Sequence, residues 1–595
     1  MKYKIVQANE DWFRDNISCQ TACPASTPVS NYIERIQEGS YDEALSLNYA
    51  ANILPHLLGR ICMHPCEDAC RRGEIDKPIA ICTLKRAAAD FAEQRFPKGV
   101  PGVKKTGKKV AVVGGGPAGL AAGRDLTMMG HSVTIFESTP VLGGMLRLGI
   151  PEYRLPRDII KLEAENIIKL GIEVRFSQKV GTDIDLDDLT DEGFKAIFIA
   201  IGANKSVNIG LSGQEHEDVF GGIDFLLDVN LGRNVKLGKK VIVVGGGNVA
   251  LDVARTALRV PEEFEEGNTV VDATRKSTGK GVREIHVVCL ESKKEMPASQ
   301  FEIEESEKEG IILHPSKGPR KIVEENGKVV GLETLDVESV FDSSGRFNPS
   351  FFEGTESIIS SDSVILAVGQ ATDVSWLEGH PDIEVTLRGI IKVDEDTFAT
   401  TRPGVFAGGD VAYGPKSAIQ AIASGRKAAI AIDQFLNVKK KRKIVKKEKK
   451  YDYFFMEKSP VRKSLGYDAI PRQEQYSIPM EKRWGFKEEI DRGYSRESAF
   501  KEAERCLRCH FNIFTNEKKC VLCGGCVDIC PNNCIMMVSR DKIEAEGMLD
   551  GAVPDDWDAV MAIDEEKCIR CGICVKRCPT GAIEMRRFTY TETTS

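Results

Sequence analysis

The order of apolar and polar positions divides the chain into three parts. Residues 1–100 carry apolar residues at helical spacing, as in VSNYIERIQEGSYDEALSLNYA, so a mostly helical region is predicted there. Residues 108–437 alternate short apolar runs with helical segments, which predicts an α/β fold built on parallel sheets. The segment from Cys520 onward is short and rich in cysteine, so bound metal centres are expected to stabilise it.

Within the α/β part, two stretches have nearly the same sequence. KKVAVVGGGPAGLAAGRDL begins at residue 108 and KKVIVVGGGNVALDVARTAL begins at residue 239. In both, an apolar strand leads into a glycine motif and then into a helix, which is the pattern of a dinucleotide site. The chain is therefore predicted to contain two Rossmann-like nucleotide-binding domains.

The first site is predicted around Gly114, Gly116 and Gly119. These glycines permit a tight turn, a close approach of the backbone to a pyrophosphate, and close packing of helix on strand. The phosphates are expected at the free N–H groups of the helix that comes next. Glu137 ends the next apolar run, where a carboxylate that binds ribose belongs.

The second site is predicted around Gly245, Gly247 and Ala250, with Glu291 as its ribose-binding acid. Glu291 lies 41 residues beyond Ala250, and leaving out a polar insertion at 261–281 reduces that separation to 20. A carboxylate binds a free ribose 2′-hydroxyl and repels a 2′-phosphate, so Glu291 favours NADH over NADPH.

The two lysines just after Glu291 weaken that preference. Lys293 and Lys294 could attract a 2′-phosphate, or they could simply belong to a solvated loop. The nucleotide is accordingly predicted as NAD(H) or NADP(H).

The composition excludes several functional classes. The formal charge is −8, which gives no reason to expect nucleic acid as a partner. No apolar run approaches the roughly 20 residues that span a bilayer, and the N-terminus has no apolar signal region, so a cytoplasmic protein without membrane insertion is expected. Nine of the twelve residues at 439–450 are Lys or Arg, a run interpreted as a solvated linker with a docking role as the alternative.

Eighteen cysteines are distributed very unevenly. Six lie between Cys19 and Cys82, eleven between Cys506 and Cys578, and only Cys289 lies between these groups. In a long chain without a secretory signal, metal binding explains such groups better than disulfides do.

The C-terminal cysteines have the tandem spacing of a ferredoxin with two clusters. Each motif has three cysteines three residues apart and a fourth before proline, and this fourth cysteine ligates the other cluster. The predicted ligand sets are Cys520, Cys523, Cys526 and Cys578 for one 4Fe-4S cluster, and Cys568, Cys571, Cys574 and Cys530 for the other. Zinc is the alternative metal. Cys534 and Cys289 are predicted to be packed thiols.

Residues 10–437 resemble the pyridine nucleotide–disulfide oxidoreductase superfamily, in the branch of the glutamate synthase small subunit. Besides the two glycine motifs, the resemblance rests on GGMLR at 143–147, GIPEYRLP at 149–156 and GGD at 408–410. It implies FAD at the first site, beside Gly144, Arg147 and Gly409, with Asp410 at its ribityl–phosphate region. It also implies the nicotinamide nucleotide at the second site.

Two departures from that family matter for the chemistry. No closely spaced cysteine pair lies near either nucleotide site, so disulfide redox chemistry is not expected. The family's usual arginines after the second strand are replaced by Glu291 and Ser292, which again argues against NADPH.

The N-terminal cysteines also resemble those of the glutamate synthase small subunit and dihydropyrimidine dehydrogenase, but their opening Arg-Cys-x-x-Cys motif is missing. It occurs instead as EAERCLRC at residues 502–509. We therefore predict a split cluster whose ligands are Cys19, Cys70, Cys506 and Cys509. The second N-terminal cluster would use Cys23, Cys62, Cys66 and Cys82. In the alternative, Cys506 and Cys509 bind zinc locally or are inert, and Cys82 is a buried thiol.

The predicted domains are derived from these motifs. They are a helical iron–sulfur domain at 1–103, an FAD domain at 104–212 and 373–437, a nicotinamide nucleotide domain at 213–372, a basic linker and wrap-around segment at 438–505, and a bacterial-ferredoxin-like α+β module at 506–595.

These cofactors predict an electron-transfer enzyme. FAD accepts two electrons as hydride and releases them singly, whereas each cluster accepts one. The expected reaction exchanges electrons between NAD(P)H and a ferredoxin or another iron–sulfur subunit of a redox complex, with hydride transfer at FAD and no catalytic side chain. The alternatives are the small subunit of a glutamate synthase-type complex, an electron-bifurcating flavoprotein subunit, and a non-enzymatic adaptor.

Overall fold

A computed structural model of the chain describes residues 3–4, 17–94, 103–260, 283–437, 467–544, 558–565 and 567–587. The insertion predicted at 261–281 and the basic run at 439–450 lie outside the described residues. The part that the structure describes has the predicted order: a helical region, two parallel-sheet domains and a small α+β module.

The N-terminal region is a set of short helices around one apolar core. Tyr32, Ile33, Leu45 and Leu84 are buried there, because the helices turn their apolar faces toward one another. The helices are Ser18–Thr21, Val29–Gln37, Tyr41–Asn52, Pro55–Ile61, Pro65–Asp68 and Ile81–Phe91.

The first nucleotide domain has a five-stranded, fully parallel sheet. Its strands lie in the order Val405–Ala407, Phe194–Ile199, Lys109–Val113, Ser132–Glu137 and Glu173–Phe176. The central strands are buried on both faces, as parallel strands covered by helices must be. The helices are Pro117–Met128, Met145–Leu148, Arg157–Ile168, Leu186–Asp191, Asp410–Tyr413 and Ala418–Asn437.

The second nucleotide domain repeats this plan with its own parallel sheet. Its strands lie in the order Ile312–His314, Glu284–Val288, Lys240–Val244, Ser363–Leu366 and Val219–Gly221, and its helices are Gly222–Asn230, Asn248–Ala257 and Gln300–Lys308. An antiparallel sheet is attached to it, formed by Lys317–Glu325, Lys328–Phe341, Phe347–Phe351 and Ser357–Ser360. The chain passes between the two domains along the paired short strands Lys205–Ser206 and Gln370–Ala371.

The C-terminal module contains two antiparallel strand pairs and short helices. Phe511–Thr515 pairs with Ile583–Arg587, and Ile535–Ser539 pairs with Ala559–Ile563. Its helices are Gly525–Asp528 and Ile573–Arg577. Near the opposite end of the sequence, Tyr3–Lys4 pairs in parallel with Ile543–Glu544.

The segment before this module contacts several domains. It contains the paired strands Tyr476–Ser477 and Asp491–Gly493 and the helix Arg496–Glu504. Phe486 packs in the core of the second nucleotide domain, whereas Ala499 and Ala503 pack with the N-terminal helices. In the described ranges, no helix combines the length and the apolar character needed to cross a bilayer.

Candidate functional site

The first glycine motif forms the tight strand-to-helix turn that its sequence predicts. Gly114 has φ = +109°, and a Cβ there would lie 2.5 Å from the carbonyl oxygen of Ala200. A Cβ on Gly119 would overlap the carbonyl oxygen of Gly114, so the helix lies directly on the strand. The helix Pro117–Met128 begins immediately after Gly116, and its free N–H groups are available to a pyrophosphate.

Glu137 lies against this turn. Its carboxylate accepts hydrogen bonds from the backbone N–H of Gly115 at 2.8 Å and from that of Thr139 at 2.9 Å. The side chain is therefore held at the end of its strand, beside the glycine loop, which is the position of a ribose-binding acid.

Two further glycine turns converge on the same helix start. Gly144, with φ = +52°, is so close that a Cβ there would lie 3.0 Å from the Cα of Gly116. Gly409, with φ = +71°, is equally close to Ala118. Arg147 lies on the short helix that begins after Gly144. The helix start is therefore surrounded by glycine backbone without side chains, so a large cofactor can approach the backbone closely.

Asp410 comes directly after the last of these turns and begins the helix Asp410–Tyr413. Burial raises the pKa of Asp410 to about 6, although the Lys416 backbone N–H, which donates to its carboxylate at 3.1 Å, acts in the opposite direction. A partly buried carboxylate so close to the helix start is suited to accept hydrogen bonds from a polyol.

The second glycine motif has the same geometry. Gly245 has φ = +142°, the helix Asn248–Ala257 begins after Gly247, and Ala250 is fully buried. A Cβ on Gly246 would lie 2.6 Å from Oε2 of Glu291. Glu291 therefore lies beside the second glycine loop much as Glu137 lies beside the first.

The two lysines after Glu291 are not equivalent. The ammonium of Lys293 forms an ion pair with Glu307, with an N–O distance of 2.5 Å, although both side chains are substantially exposed. Lys294 is exposed. The charge of Lys293 is thus partly compensated on the protein surface.

Three Cys-x-x-Cys loops share one uncommon backbone conformation. In each, the residue before the second cysteine is left-handed: Arg508 has φ = +52°, Leu522 has +49° and Arg570 has +53°. Side chains rarely adopt this conformation, so its repetition at one position indicates a common loop. The loop from Cys506 to Cys509 therefore has the shape of the two ferredoxin loops.

The Cys-Pro turns show a second repetition. The third residue after Cys23, Cys530 and Cys578 is left-handed in every case: Ser26, Asn533 and Gly581 have φ values of +49°, +49° and +63°. The N-terminal turn at Cys23 thus has the backbone form of both ferredoxin Cys-Pro turns.

The ferredoxin module brings its cysteines close to one another. Burial and, less strongly, the Glu517 carboxylate and the Cys578 and Cys523 thiols raise the pKa of Cys520. Burial is also the main cause of the raised pKa of Cys574, and the further contributors are Cys568, Cys571, Cys526 and Cys530.

Cys534 lies beside the second of these groups. Its Sγ is 3.2 Å from that of Cys530, and it also hydrogen-bonds to Cys568. Its counterpart in the other half of the module is Ala582, and the backbone N–H of each donates to the preceding Cys-Pro sulfur. Cys289 is buried in the second nucleotide domain, beside Gly246.

One small cavity is lined by four cysteines from two distant parts of the chain: Cys19, Cys70, Cys506 and Cys509. Burial, and to a lesser extent the neighbouring thiols, raises the pKa of Cys19 well above its usual value. Such thiols remain protonated unless a metal centre displaces their protons. The donor set fits an iron–sulfur cluster.

Two buried arginines hold the distant halves of this cavity together. The guanidinium of Arg505 donates to both carboxylate oxygens of Asp76 at 3.0 Å, and Arg72 donates to the backbone carbonyl of Arg505 at 3.1 Å. Arg72 and Arg505 are both 0% exposed. These bonds position Cys506 opposite Cys70.

The other four N-terminal cysteines form a separate group. The Cys66 thiol interacts electrostatically with Cys62 and Cys23, and the Cys82 thiol with Cys62. The Cys82 sulfur also lies 3.4 Å from the backbone carbonyl oxygen of Leu58. A protonated Cys82 thiol would donate a hydrogen bond to that oxygen. Cys82 is therefore within reach of the group, and its alternative as a buried thiol stays open.

Several important residues were not predicted from the sequence. Lys85 is buried beside Cys23, Cys62, Cys66 and Cys82. Arg570 interacts electrostatically with Cys509 of the four-cysteine cavity and with Cys568 of the ferredoxin module. Arg72 and Arg505 join the N-terminal part of that cavity to the segment that contains Cys506. Basic residues beside cysteines were the only signal, and nothing in the pattern distinguishes these buried side chains from exposed ones.

Three family models match the chain. The description "pyridine nucleotide-disulphide oxidoreductase" matches residues 108–425, which contain both nucleotide sites. "Dihydropyrimidine dehydrogenase domain II, 4Fe-4S cluster" matches residues 7–96, and "4Fe-4S dicluster domain" matches residues 519–582. Cys506 and Cys509 lie outside both iron–sulfur matches.

Relatives among characterised proteins cover most of the chain. The beta subunit of NADP(+)-dependent formate dehydrogenase from Moorella thermoacetica is 39% identical, over 83% of this chain and 70% of that protein. The NADPH-Fe(3+) oxidoreductase subunit beta from Geobacter sulfurreducens is 34% identical, over 83% of this chain and 75% of that protein. The glutamate synthase (NADPH) small chain of Escherichia coli is 32% identical, over 71% of this chain and 89% of that protein.

Proposed function

This chain belongs to the pyridine nucleotide-disulphide oxidoreductase family, and from that premise we propose that it moves electrons between NAD(P)H and an iron–sulfur partner through FAD and four 4Fe-4S clusters. The fold, the family and the cofactor classes predicted from the sequence are confirmed. The assignment of individual residues and the number of clusters belong to the proposal.

In this assignment, each cofactor has a defined place. FAD occupies the convergence of Gly116, Gly144 and Gly409, with Glu137 at its ribose and Asp410 at its polyol chain. The nicotinamide nucleotide occupies the second glycine loop. When bound, FAD converts a hydride into single electrons, and the residues of this chain bind and orient the two nucleotides.

The arrangement of the cysteine groups supports one order for the clusters. Cys23 and Cys62 pack against the core of the FAD domain, so we call Cys23, Cys62, Cys66 and Cys82 the FAD-side group. Cys19, which belongs to the split group, interacts electrostatically with Cys66 of the FAD-side group. The FAD-side group is therefore next to the split group.

The split group is in turn next to the ferredoxin module. Leu507, inside its Cys-x-x-Cys loop, shares an apolar core with Ile569 and Cys571 of the module. Arg570 interacts electrostatically with both Cys509 and Cys568. This adjacency carries the proposal: it supports a path from FAD through four clusters in sequence.

The path ends near the surface. Cys523 is exposed, and so are its neighbours Val521 and Ile529. We assign the exchange with a partner to this end, because an electron donor must bring its last cluster close to the acceptor.

The relatives' names identify the type of assembly. Two of them are beta subunits and one is a small chain, so this chain is proposed to work as a subunit of a larger redox complex. A ferredoxin or another iron–sulfur subunit is the proposed partner. The names of these relatives contain NADP(+) or NADPH, whereas Glu291 favours NADH in this chain. The identity of the nucleotide is therefore a second point to test.

The function can be tested by anaerobic reduction of the purified, full-length protein. NADH or NADPH should first bleach the flavin and then the iron–sulfur absorbance, and should reduce an added two-cluster bacterial ferredoxin. In Cys523→Ser, flavin bleaching should persist, whereas ferredoxin reduction should fall more than about tenfold because the last cluster is disrupted. Unchanged ferredoxin reduction in this variant would exclude the proposed exit, and a protein without flavin would exclude the proposed function.

A further inference from the structure

Lys85 is a buried cation in the group of cysteines nearest the FAD domain. It lies on the helix Ile81–Phe91, three residues after Cys82, so both residues share one face of the helix. Its side chain is only 3% exposed. Among the residues that the structure describes, its ammonium has no hydrogen bond and no ion pair with a carboxylate.

The neighbouring charged groups do not compensate Lys85. Arg86, the next residue, is bound to Asp90 and Glu489. The carboxylate of Glu67 accepts a hydrogen bond from Arg472 at 2.7 Å and one from the Cys82 backbone N–H at 2.9 Å. Lys85 is thus the basic residue of this helix without an acidic partner in the described part of the chain.

Cysteines provide the electrostatic surroundings of Lys85 instead. The side chains of Cys62, Cys82, Cys66 and Cys23 all lie within electrostatic range of the Lys85 ammonium. The Cys82 sulfur itself lies 4.0 Å from the backbone carbonyl oxygen of Cys62. A cation removed from water is strongly unfavourable unless a negative group compensates it. Four thiolates on an iron–sulfur cluster provide that negative charge.

We propose that Lys85 is a positioning residue whose ammonium compensates the negative charge of the 4Fe-4S cluster held by Cys23, Cys62, Cys66 and Cys82, and thereby raises the reduction potential of that cluster. The inference rests on the ligand set proposed above. It assigns a role to a side chain that lies outside the ligand motifs.

The direction of the effect is set by the charge balance. When this cluster takes up one electron from the flavin, its net charge becomes more negative by one unit, and no proton or bond needs to change. A fixed positive charge nearby stabilises the reduced form more than the oxidised form, so the reduction potential rises. The first cluster after FAD is then a better electron acceptor.

Redox titration of the intact holoprotein, monitored by electron paramagnetic resonance, tests this role. In Lys85→Met, which keeps an unbranched side chain one atom shorter and removes its charge, one cluster should show a lower midpoint potential while the other three keep theirs. Lys85→Arg should restore most of the shift. Lys501→Met is the matched control, because Lys501 lies on a helix packed on the same domain and is exposed, paired with Glu497.

Each outcome has a defined meaning. An unchanged potential in Lys85→Met overturns the proposal. If that variant loses the cluster and Lys85→Arg retains it, charge compensation is supported; if both lose it, the role of Lys85 is one of shape and the proposal is overturned. A Cys66→Ser variant that keeps about sixteen iron atoms would refute the ligand set itself, which separates the two failures.

Discussion

At the scale of single residues, the two nucleotide sites differ mainly in the spacing between the strand and its acid. Glu137 is the last residue of its strand and is held by the backbone N–H groups of Gly115 and Thr139. Glu291 lies three residues beyond the end of Glu284–Val288 and still approaches the glycine loop. Two acids at different distances from their strands thus reach equivalent positions.

We predict that Glu291→Arg shifts nucleotide preference toward NADPH. The carboxylate repels a 2′-phosphate, and an arginine binds it with a planar pair of donors, so the ratio of kcat/KM for NADPH over NADH should rise at least about tenfold. Stopped-flow reduction of the flavin measures this ratio. Lys293→Met is the control: because Lys293 is paired with Glu307, it should change the ratio less than about twofold. An unchanged ratio in Glu291→Arg would show that Glu291 does not contact the ribose.

At the scale of secondary-structure elements, a buried ionic network connects the helices of the second nucleotide domain with the segment that precedes the ferredoxin module. Glu309, at the end of the helix Gln300–Lys308, is bound by both Arg255 and Arg259. Arg259 also donates to the backbone carbonyl of Arg483, at 2.9 Å. Burial alone would raise the pKa of Glu309, but the two arginines lower it to about 2.

We predict that Glu309→Gln destabilises this domain by about 3–5 kcal/mol, because it leaves two buried arginines without their shared carboxylate. The midpoint of thermal unfolding should fall by several degrees under anaerobic conditions, and the segment around Arg483 should become sensitive to proteolysis. Glu307→Gln, at an exposed ion pair two residues away, should change stability by less than about 1 kcal/mol. Equal effects of the two substitutions would contradict the importance of the buried network.

At the scale of the whole molecule, the two ends of the chain meet at one cysteine cavity. Cys19 and Cys70 come from the N-terminal helices, and Cys506 and Cys509 come from the loop before the ferredoxin module. The backbone pairing of Tyr3–Lys4 with Ile543–Glu544 is a second connection between the same regions. These contacts hold the ferredoxin module beside the N-terminal cysteines, as the proposed electron path requires.

We predict that the double substitution Cys506→Ser and Cys509→Ser removes one cluster, lowering iron from about sixteen to about twelve atoms per chain. Metal analysis and electron paramagnetic resonance measure the loss. Cys534→Ala is the control, because it copies Ala582 in the other half of the module and should keep all the iron. Retention of all the iron in the double variant would refute the split cluster, and loss of zinc instead of iron would favour a local zinc site.

The sequence by itself determined the chemistry carried by contiguous segments. Each glycine motif is a strand, a turn and a helix close together in the chain, and each ferredoxin motif places three ligands within seven residues. Both kinds of motif can therefore be predicted from the conformation of a short stretch of chain. The fold class is determined in the same way, by the alternation of apolar runs and helices.

Only the tertiary structure decided which distant groups meet. The sequence suggested that Cys506 and Cys509 join Cys19 and Cys70, but no local rule could place them together, and their approach depends on the buried contacts of Arg72 and Arg505. The position of Lys85 likewise depended on packing, because its neighbour Arg86 has the same charge but forms ion pairs with acids. Burial and pairing are properties of the folded surroundings, and they decide which of two adjacent basic side chains lies among the cysteines.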